Sequence, residues 1–270
     1  MSINKRYIGA AIIAPFILFI FLGGVYLKYF TIAISIAGLY EFYKTAKISK
    51  IRTFDVVGYA LLIIFYITNN NFEALSYMII VSTFLMLCLP VLKPELNYID
   101  VAVTMLGFIY VGVFFSCIYL VNTFKGGQYL VWLIFLGSWG CDTGAYYIGR
   151  LFSKLGTTHK LNEKVSPKKT IEGSLGGLII CSLLCGIFGI IIINKFNFTD
   201  IATYHYFIIG ALCGVFSQFG DLVASSVKRH SNIKDYSNLI PGHGGILDRF
   251  DSSLYSAVVV FIYIKFLMML

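Results

Sequence analysis

A dense group of charged residues and glycines interrupts an otherwise apolar sequence between positions 225 and 251. Three glycines within positions 242–245 permit close approach of a ligand to the backbone. Carboxylates on separate helices, surrounded by lysine and arginine, are a typical arrangement for holding Mg²⁺ together with nucleotide phosphates. The group therefore predicts phosphate chemistry. Its charged members, with one carboxylate just upstream, are Asp221, Lys228, Arg229, Lys234, Asp235, Asp248, Arg249 and Asp251.

Two carboxylates, Asp142 and Asp221, lie within long apolar runs, and helical spacing places each in a stripe of small and polar residues. An ionised carboxylate at the centre of a membrane span costs roughly 2.5–3.5 kcal/mol on insertion scales, so such acids face a cavity or a partner. A polar cavity open to the cytoplasm is favoured. A structural ion pair with Lys or Arg, or helices that leave the acids at the surface, stay open as alternatives. The two stripes are Ser138, Asp142, Ala145 and Gly149, and Gly214, Ser217, Gln218, Asp221, Ser225 and Lys228.

A second basic segment precedes the run that begins near position 173. Ser166 followed by Pro167 favours a helix start, with Ser166 as N-cap. Lys168 and Lys169 would then occupy the first turn, where the helix dipole disfavours cations. A phosphate bound at that helix terminus would reverse the effect, since free N–H groups and both lysines favour an anion. Contact of the two lysines with lipid headgroups is the alternative.

The elements that must position these residues are membrane helices. Hydrophobic residues make up 58% of the chain and charged residues 13%, against about 25% charge in soluble domains. Backbone groups in lipid must be satisfied within the segment, which predicts an all-α, polytopic integral membrane protein. Gly140 and Gly144 are spaced to let a second helix approach closely. The nine predicted spans are 7–23, 26–43, 55–69, 73–92, 99–121, 129–149, 173–194, 203–227 and 252–269.

The distribution of lysine and arginine predicts a cytoplasmic N-terminus. With nine spans, 17 of these cations fall on the inner side and 4 on the other. The charged loops 150–172 and 228–251 then share the cytoplasmic side, and so does the active-site cavity. We expect residues 1–125 to be a transmembrane scaffold and residues 126–270 to be the catalytic region. The predicted location is the inner (plasma) membrane.

The remaining composition narrows the ligand classes. The formal net charge is +8, but the cations lie between apolar runs, which favours anionic lipid and phosphorylated substrates over nucleic acid. All six cysteines lie within apolar runs without CxxC spacing, which favours structural thiols over zinc or disulfides.

The run Ser225-x-Val227-Lys228-Arg229 through Pro241-x-His243-Gly244-Gly245 to Asp248-Arg249-Phe250-Asp251 resembles the signature of phosphatidate cytidylyltransferases, the CDP-diacylglycerol synthases. The segments SPKKTIEGSLGG and DTGAYYIGR are similar to that family too, so the resemblance covers roughly the second half of the chain. It implies that CTP and phosphatidate give CDP-diacylglycerol and diphosphate, a step of phospholipid biosynthesis. It also implies Mg²⁺, a monovalent cation such as K⁺, a homodimer, and metal binding by Asp221 and Asp248.

The predicted mechanism is attack of a phosphatidate oxygen on the α-phosphorus of CTP. A phosphate monoester has a second pKa of about 6, so this nucleophile is already ionised near pH 7 and needs no strong general base. Positioning and charge neutralisation are then the protein's task. We predict Asp221, Asp248, Lys228 and Arg249 as catalytic residues, with Asp142 as a further metal ligand or a water-mediated partner. The predicted substrate-binding residues are Lys168, Lys169, Ser225, Arg229, Lys234, Asp235, His243, Gly244, Gly245 and Asp251.

Three alternatives stay open at this point. His243 could only hold its turn. A CTP-dependent lipid-alcohol kinase would transfer the γ-phosphate and release CDP. A cation transporter using Asp142 and Asp221 would need no CTP, but it leaves the glycine-rich loop and the clustered cations unexplained.

Overall fold

The computed structural model describes residues 16–196, 198 and 200–269, and in this part the chain is all-α apart from one short hairpin. The first described helix, α1, comprises 16–22. The helices and strands that follow are α2 (Gly24–Ile48), α3 (Asp55–Ile67), α4 (Phe72–Leu87), α5 (Leu89–Leu92), α6 (Tyr98–Gly107), a π-helix (Phe108–Val113), α7 (Phe114–Thr123), α8 (Gly127–Lys154), β1 (Lys160–Asn162), β2 (Ser166–Thr170), α9 (Ile171–Phe196), α10 (Thr203–His230) and α11 (Leu247–Leu267).

The all-α class and the membrane character are confirmed. Five helical segments in the described residues are long and apolar enough to cross a membrane: Phe72–Leu92, Tyr98–Thr123, Ile171–Phe196, Thr203–His230 and Leu247–Leu267. Most of the predicted first span, 7–23, lies outside the described residues. The count of nine spans and the cytoplasmic N-terminus stay predictions.

The described chain packs as two compact units that interleave along the sequence. The first comprises 16–19, Val25–Ser116 and His230–Arg249, and the second comprises Ile20–Gly24, Cys117–Arg229 and 250–269. The predicted functional division at 125/126 is a separate matter and stays a prediction.

The core of the first unit forms around Tyr43 of α2, which is fully buried. Its hydroxyl donates to the carbonyl oxygen of Thr104 on α6 at 2.8 Å. Gly58 and Gly107 leave room for its ring, because a Cβ at either position would overlap the Tyr43 side chain. The ring thus joins α2, α3 and α6.

In the second unit, small residues let α8 and α9 approach backbone to backbone. A Cβ at Gly177 would lie 2.6 Å from the carbonyl oxygen of Cys141, and one at Gly144 would lie 2.9 Å from Ile180. A Cβ at Gly140 would lie 2.8 Å from Leu184. The predicted close approach at Gly140 and Gly144 is therefore confirmed.

The predicted helix start at Ser166 is wrong. Ser166–Thr170 forms β2, which pairs antiparallel with Lys160–Asn162, and α9 begins at Ile171. Thr170 is the residue that caps α9, because its hydroxyl oxygen accepts from the backbone N–H of Gly173 at 3.1 Å. Lys168 and Lys169 therefore lie on a strand and not in a first helical turn.

Candidate active site

A cavity of about 570 Å³ opens in the second unit beside α8, α9, α10 and the hairpin. Two carboxylates and five cations line it, among small and polar residues. The charged lining residues are Asp142, Asp221, Arg150, Lys154, Lys160, Lys168 and Lys169. The surplus of cations favours an anionic ligand with several negative oxygens, and the carboxylates supply oxygen ligands for a divalent cation.

Asp142 presents its carboxylate to this cavity from α8. Its Oδ2 accepts a hydrogen bond of 2.9 Å from the Ser252 hydroxyl on α11. One turn earlier, Ser138 and Ser253 exchange a hydroxyl hydrogen bond of 2.9 Å that is fully buried. The predicted polar stripe therefore faces α11 as well as the cavity, and the serines hold Asp142 in position.

Asp221 reaches the same cavity from α10. Its Oδ2 lies 2.6 Å from the Lys169 ammonium nitrogen, and Ser225 donates to its Oδ1 over a longer 3.3 Å. The sequence left an ion pair and a polar cavity as alternatives. The ion pair is present for Asp221, and both of its partners line the cavity, whereas the opening of the cavity to the cytoplasm stays a prediction. Phe216 and Phe219 of the same helix are exposed on the protein surface.

Gln218, one turn before Asp221, lines the cavity and links two of its helices. Its side-chain amide donates to the carbonyl oxygens of Ser174 on α9, at 3.1 Å, and Gly214 on α10, at 2.8 Å. This cross-link holds the two helices in register at the depth of the carboxylate.

The hairpin that carries Lys160, Lys168 and Lys169 is held by hydrogen bonds to α9 and by one within the hairpin itself. Glu172 in the first turn of α9 accepts from the backbone N–H of His159 at 3.1 Å and contacts the His159 ring nitrogen at 2.7 Å. Lys160 donates to the Pro167 carbonyl oxygen at 2.8 Å, which closes the hairpin on itself. His159 is exposed, although its backbone N–H and its ring both contact Glu172.

Three cations of the cavity were missed from the sequence: Arg150, Lys154 and Lys160. The first two follow Asp142 by two and three helical turns on α8, so they continue its stripe beyond the apolar run. That spacing was the signal that could have found them.

The other predicted residues of the second unit have different environments. Lys228 is buried, whereas Arg229 is exposed. Asp251 is half-buried, its Oδ1 accepts from the backbone N–H of Ser252 at 2.8 Å, and it lies within electrostatic range of Asp142, Asp221 and Lys228. Asp251 therefore belongs electrostatically with the acids of the cavity.

Within the first unit, the glycine-rich segment forms a turn with Gly242 at φ 78° and Gly244 at φ 83°. The backbone N–H of Ile240 donates to the Gly244 carbonyl oxygen at 2.8 Å, and that of His243 donates to Ile240 at 2.9 Å. The predicted turn is confirmed, while the role of His243 in nucleotide binding stays a prediction. Lys234, Asp235 and Arg249 are exposed in this unit.

Asp248 is buried in the first unit, and its carboxylate organises the turn. Its Oδ2 accepts from the backbone N–H groups of Tyr236, at 2.8 Å, and Gly245, at 2.9 Å. Helix α11 begins at Leu247, five residues before the predicted last span, so Asp248 lies in its first turn.

Glu41, within the predicted second span, is a buried carboxylate that was not predicted as a site residue. It is 1% exposed and accepts hydrogen bonds from Ser237, Ile246 and Leu247. Its partners lie far downstream in sequence, so no local pattern pointed to it.

The carboxylates of the cavity fit a magnesium ion that takes its other ligands from water and bound phosphate groups. No group of three or more His, Cys, Asp and Glu side chains suited to a metal occurs in the part of the chain that the structure describes. Mg²⁺ is usually held by one or two carboxylates, waters and substrate phosphates, and not by an all-protein cage. Asp142 and Asp221, beside five cations for the phosphates, provide that donor set.

A pocket lined by two carboxylates and five cations, in a chain with helices apolar enough to cross a membrane, is typical of a membrane enzyme that handles phosphorylated substrates. The model of the cytidylyltransferase family matches residues 4–267 of the chain. The chain therefore belongs to the cytidylyltransferase family and is a nucleotidyltransferase.

Curated relatives that match about two thirds or more of this chain are named phosphatidate cytidylyltransferase. A phosphatidate cytidylyltransferase of Bacillus subtilis is 36% identical over 260 residues, which cover 92% of each chain. One of Staphylococcus haemolyticus is 34% identical over 245 residues, covering 89% of this chain and 90% of the relative. A third, of Staphylococcus saprophyticus, is 42% identical over 178 residues, which span 66% of this chain and 64% of that relative.

Proposed function

We propose that this chain transfers the cytidylyl group of CTP to phosphatidate, releasing diphosphate and forming CDP-diacylglycerol. The observation that carries the proposal is the cavity of the second unit, in which Asp142 and Asp221 are surrounded by five cations. The membership of the cytidylyltransferase family and the names of the relatives support the same reaction.

The reaction needs one bond formed and one broken. A phosphatidate phosphate oxygen attacks the α-phosphorus of CTP, and the bond from that phosphorus to the bridging oxygen of the β-phosphate breaks. The leaving electron pair stays on diphosphate. The attacking monoester is ionised near pH 7, so no proton has to be removed from it first.

The cations of the cavity hold and neutralise the phosphates. Lys168 and Lys169 approach from the strand, and Arg150 and Lys154 approach from α8. Fixed charges around a phosphoryl group stabilise the charge that develops during transfer without reorganisation. Arg150 offers a planar fork of donors to phosphate oxygens, whereas each lysine acts as a compact charge.

We assign the magnesium ion to Asp142 and Asp221. The metal role predicted for Asp248 is supported by the family resemblance alone. Bound there, the ion would neutralise the nucleotide phosphates. The roles predicted for Lys228, Arg249, Ser225, Arg229, Lys234, Asp235, His243, Gly244, Gly245 and Asp251, together with a monovalent cation such as K⁺, are part of the same proposal.

The membrane setting is also proposed. The segregation of 17 cations from 4 supports nine spans with a cytoplasmic N-terminus and an active site facing the cytoplasm. Of the two substrates, one is a lipid and the other is a cytoplasmic nucleotide, which requires such a cavity at the inner face of the plasma membrane. A homodimer follows from the family resemblance alone.

The test is an assay of the purified full-length chain with phosphatidate in mixed micelles and CTP labelled at the α-phosphate, with and without Mg²⁺. We expect label in the lipid phase and release of diphosphate, both dependent on Mg²⁺. Release of CDP with unlabelled lipid would instead indicate γ-phosphoryl transfer. Absence of any nucleotide turnover would refute the proposal.

A further inference from the structure

Glu41 of α2 holds the downstream end of the glycine-rich loop. Its Oε1 accepts from the Ser237 hydroxyl at 2.5 Å and from the Ile246 backbone N–H at 3.0 Å. Its Oε2 accepts from the Leu247 backbone N–H at 2.9 Å. Since Leu247 is the first residue of α11, the carboxylate satisfies donors that the helix itself leaves without partners.

Asp248 closes the same loop from the inside, through the backbone N–H groups of Tyr236 and Gly245. The two carboxylates thus engage residues 236 and 237 at one end of the loop and residues 245–247 at the other. Between these ends lie Gly242 and His243 of the predicted nucleotide-binding turn. The path of residues 238–244 is therefore set by two buried acids.

Two glycines let the backbone of the loop lie directly against the carboxylates of Glu41 and Asp248. A Cβ at Gly245 would overlap the Glu41 carboxylate. At Gly244, where φ is 83°, a Cβ would lie 2.8 Å from Asp248 Oδ2. At both positions the backbone is in direct contact with a carboxylate, so there is room for glycine but not for a residue with a side chain.

We propose that Glu41 is a positioning residue for cytidylyl transfer, which acts by fixing the loop 236–247. The inference rests on the proposed function for its kinetic consequence, but the fixing of the loop can be measured without turnover. Nothing in the sequence around Glu41 marks it as part of a site, since its partners lie on a segment some two hundred residues away.

The substitution Glu41→Gln tests whether the carboxylate positions the loop through its hydrogen bonds or only fills the space at position 41. Glutamine has nearly the same shape, but one of its two terminal atoms is an NH₂ donor. In either orientation this donor would face an N–H or O–H group that now donates to Glu41. At least one buried donor of the loop would lose its acceptor, although the volume in the core of the first unit is preserved.

The experiment compares Glu41→Gln and Ser237→Ala with Ser35→Ala in the purified full-length chain. Ser35 is the matched control, because it is a buried polar residue of the same helix that bonds to Thr31 and contacts Tyr66 instead of the loop. Hydrogen exchange is followed in peptides covering 236–247 and, as an internal reference, in peptides of α9. Thermal unfolding and the kinetics for CTP are measured on the same samples.

We expect amide exchange in 236–247 to rise about tenfold or more in Glu41→Gln, with α9 unchanged. The value of kcat/KM for CTP should fall by roughly 10–100-fold, as is typical when a supporting partner of a site is lost. Ser237→Ala, which removes one donor only, should shift both quantities in the same direction by less. Ser35→Ala should leave exchange in the loop and the kinetics at wild-type values.

Wild-type exchange in the loop of Glu41→Gln would overturn the inference, and so would a kinetic loss of equal size in Ser35→Ala. If Glu41→Gln does not fold, Ser237→Ala decides, because unchanged exchange and kinetics in that variant contradict the inference. A wild-type chain without cytidylyl transfer would refute the proposed function, whereas the exchange measurement would still decide whether Glu41 fixes the loop.

Discussion

Lys169 and Asp221 form an ion pair inside the cavity, with the ammonium nitrogen 2.6 Å from the carboxylate oxygen Oδ2. The two residues come from β2 and α10, and both side chains are partly exposed to the cavity. The Lys169 nitrogen itself is buried and, beyond this ion pair, has no hydrogen-bond partner within the described residues. An ammonium group carries three donors, so Lys169 can neutralise Asp221 and still donate to a phosphate oxygen.

This double role makes Lys169→Ala a sensitive test of the cavity. We expect kcat/KM for CTP to fall by about 10²–10³-fold, because a fixed donor to a charged transition state is lost. Lys164→Ala is the matched control, since Lys164 lies in the turn of the same hairpin and does not line the cavity. A similar loss in both variants would mean that the hairpin tolerates no change, and would contradict a specific role for Lys169.

Replacing either carboxylate of the cavity should change how the activity depends on the Mg²⁺ concentration. Asp142→Asn and Asp221→Asn each remove one charged oxygen ligand, so we expect a higher Mg²⁺ concentration for half-maximal activity and at least a hundredfold lower kcat. Titration of activity with Mg²⁺ at fixed CTP measures both. The control is Asp200→Asn, because Asp200 pairs with Lys125 outside the cavity. An unchanged Mg²⁺ dependence in both cavity variants would remove the metal assignment.

The long helices could be predicted closely from the sequence because apolar length alone determines them. The predicted span 203–227 lies within α10 (Thr203–His230), and 173–194 lies within α9 (Ile171–Phe196). The predicted third span, 55–69, corresponds to the short helix α3, which ends at Ile67 before residues with positive φ at Asn69 and Asn70. Continuous hydrophobicity over about 20 residues leaves a chain in lipid few other choices.

Features that depend on competing hydrogen bonds of the folded chain could not be predicted. Ser166 and Pro167 have the local preferences of a helix start, but pairing with β1 and the cap at Thr170 override them. Propensity is a weak prior when such hydrogen bonds compete with it. Glu41 is the stronger example, because only the folded chain brings the Ile246 and Leu247 N–H groups to it.

The close contact of α8 and α9 should be intolerant of a single methyl group. At Gly177 a Cβ would lie 2.6 Å from the backbone carbonyl oxygen of Cys141, which cannot move without shifting α8. We expect Gly177→Ala to destabilise the chain by about 1–3 kcal/mol, the usual cost of overpacking. Ile179→Ala, at an exposed position of the same helix, serves as control. Thermal unfolding in detergent measures the difference, and equal melting temperatures would contradict the packing described.

Nucleotide binding should protect the hairpin from proteolysis. Lys160, Lys168 and Lys169 line the cavity, so a bound nucleotide must be released or displaced before trypsin can reach the bonds that follow them. A ligand at a hundred times its Kd stabilises the bound state by about 2.7 kcal/mol, which lowers the population of an open hairpin up to about a hundredfold.

Cleavage after Lys50, in the exposed turn between α2 and α3, provides the internal reference and should be unaffected by CTP with Mg²⁺. The ratio of the two cleavage rates, followed by mass spectrometry, gives the measurement. Equal slowing at Lys50 would indicate a global effect, and no slowing at the hairpin would place the nucleotide elsewhere.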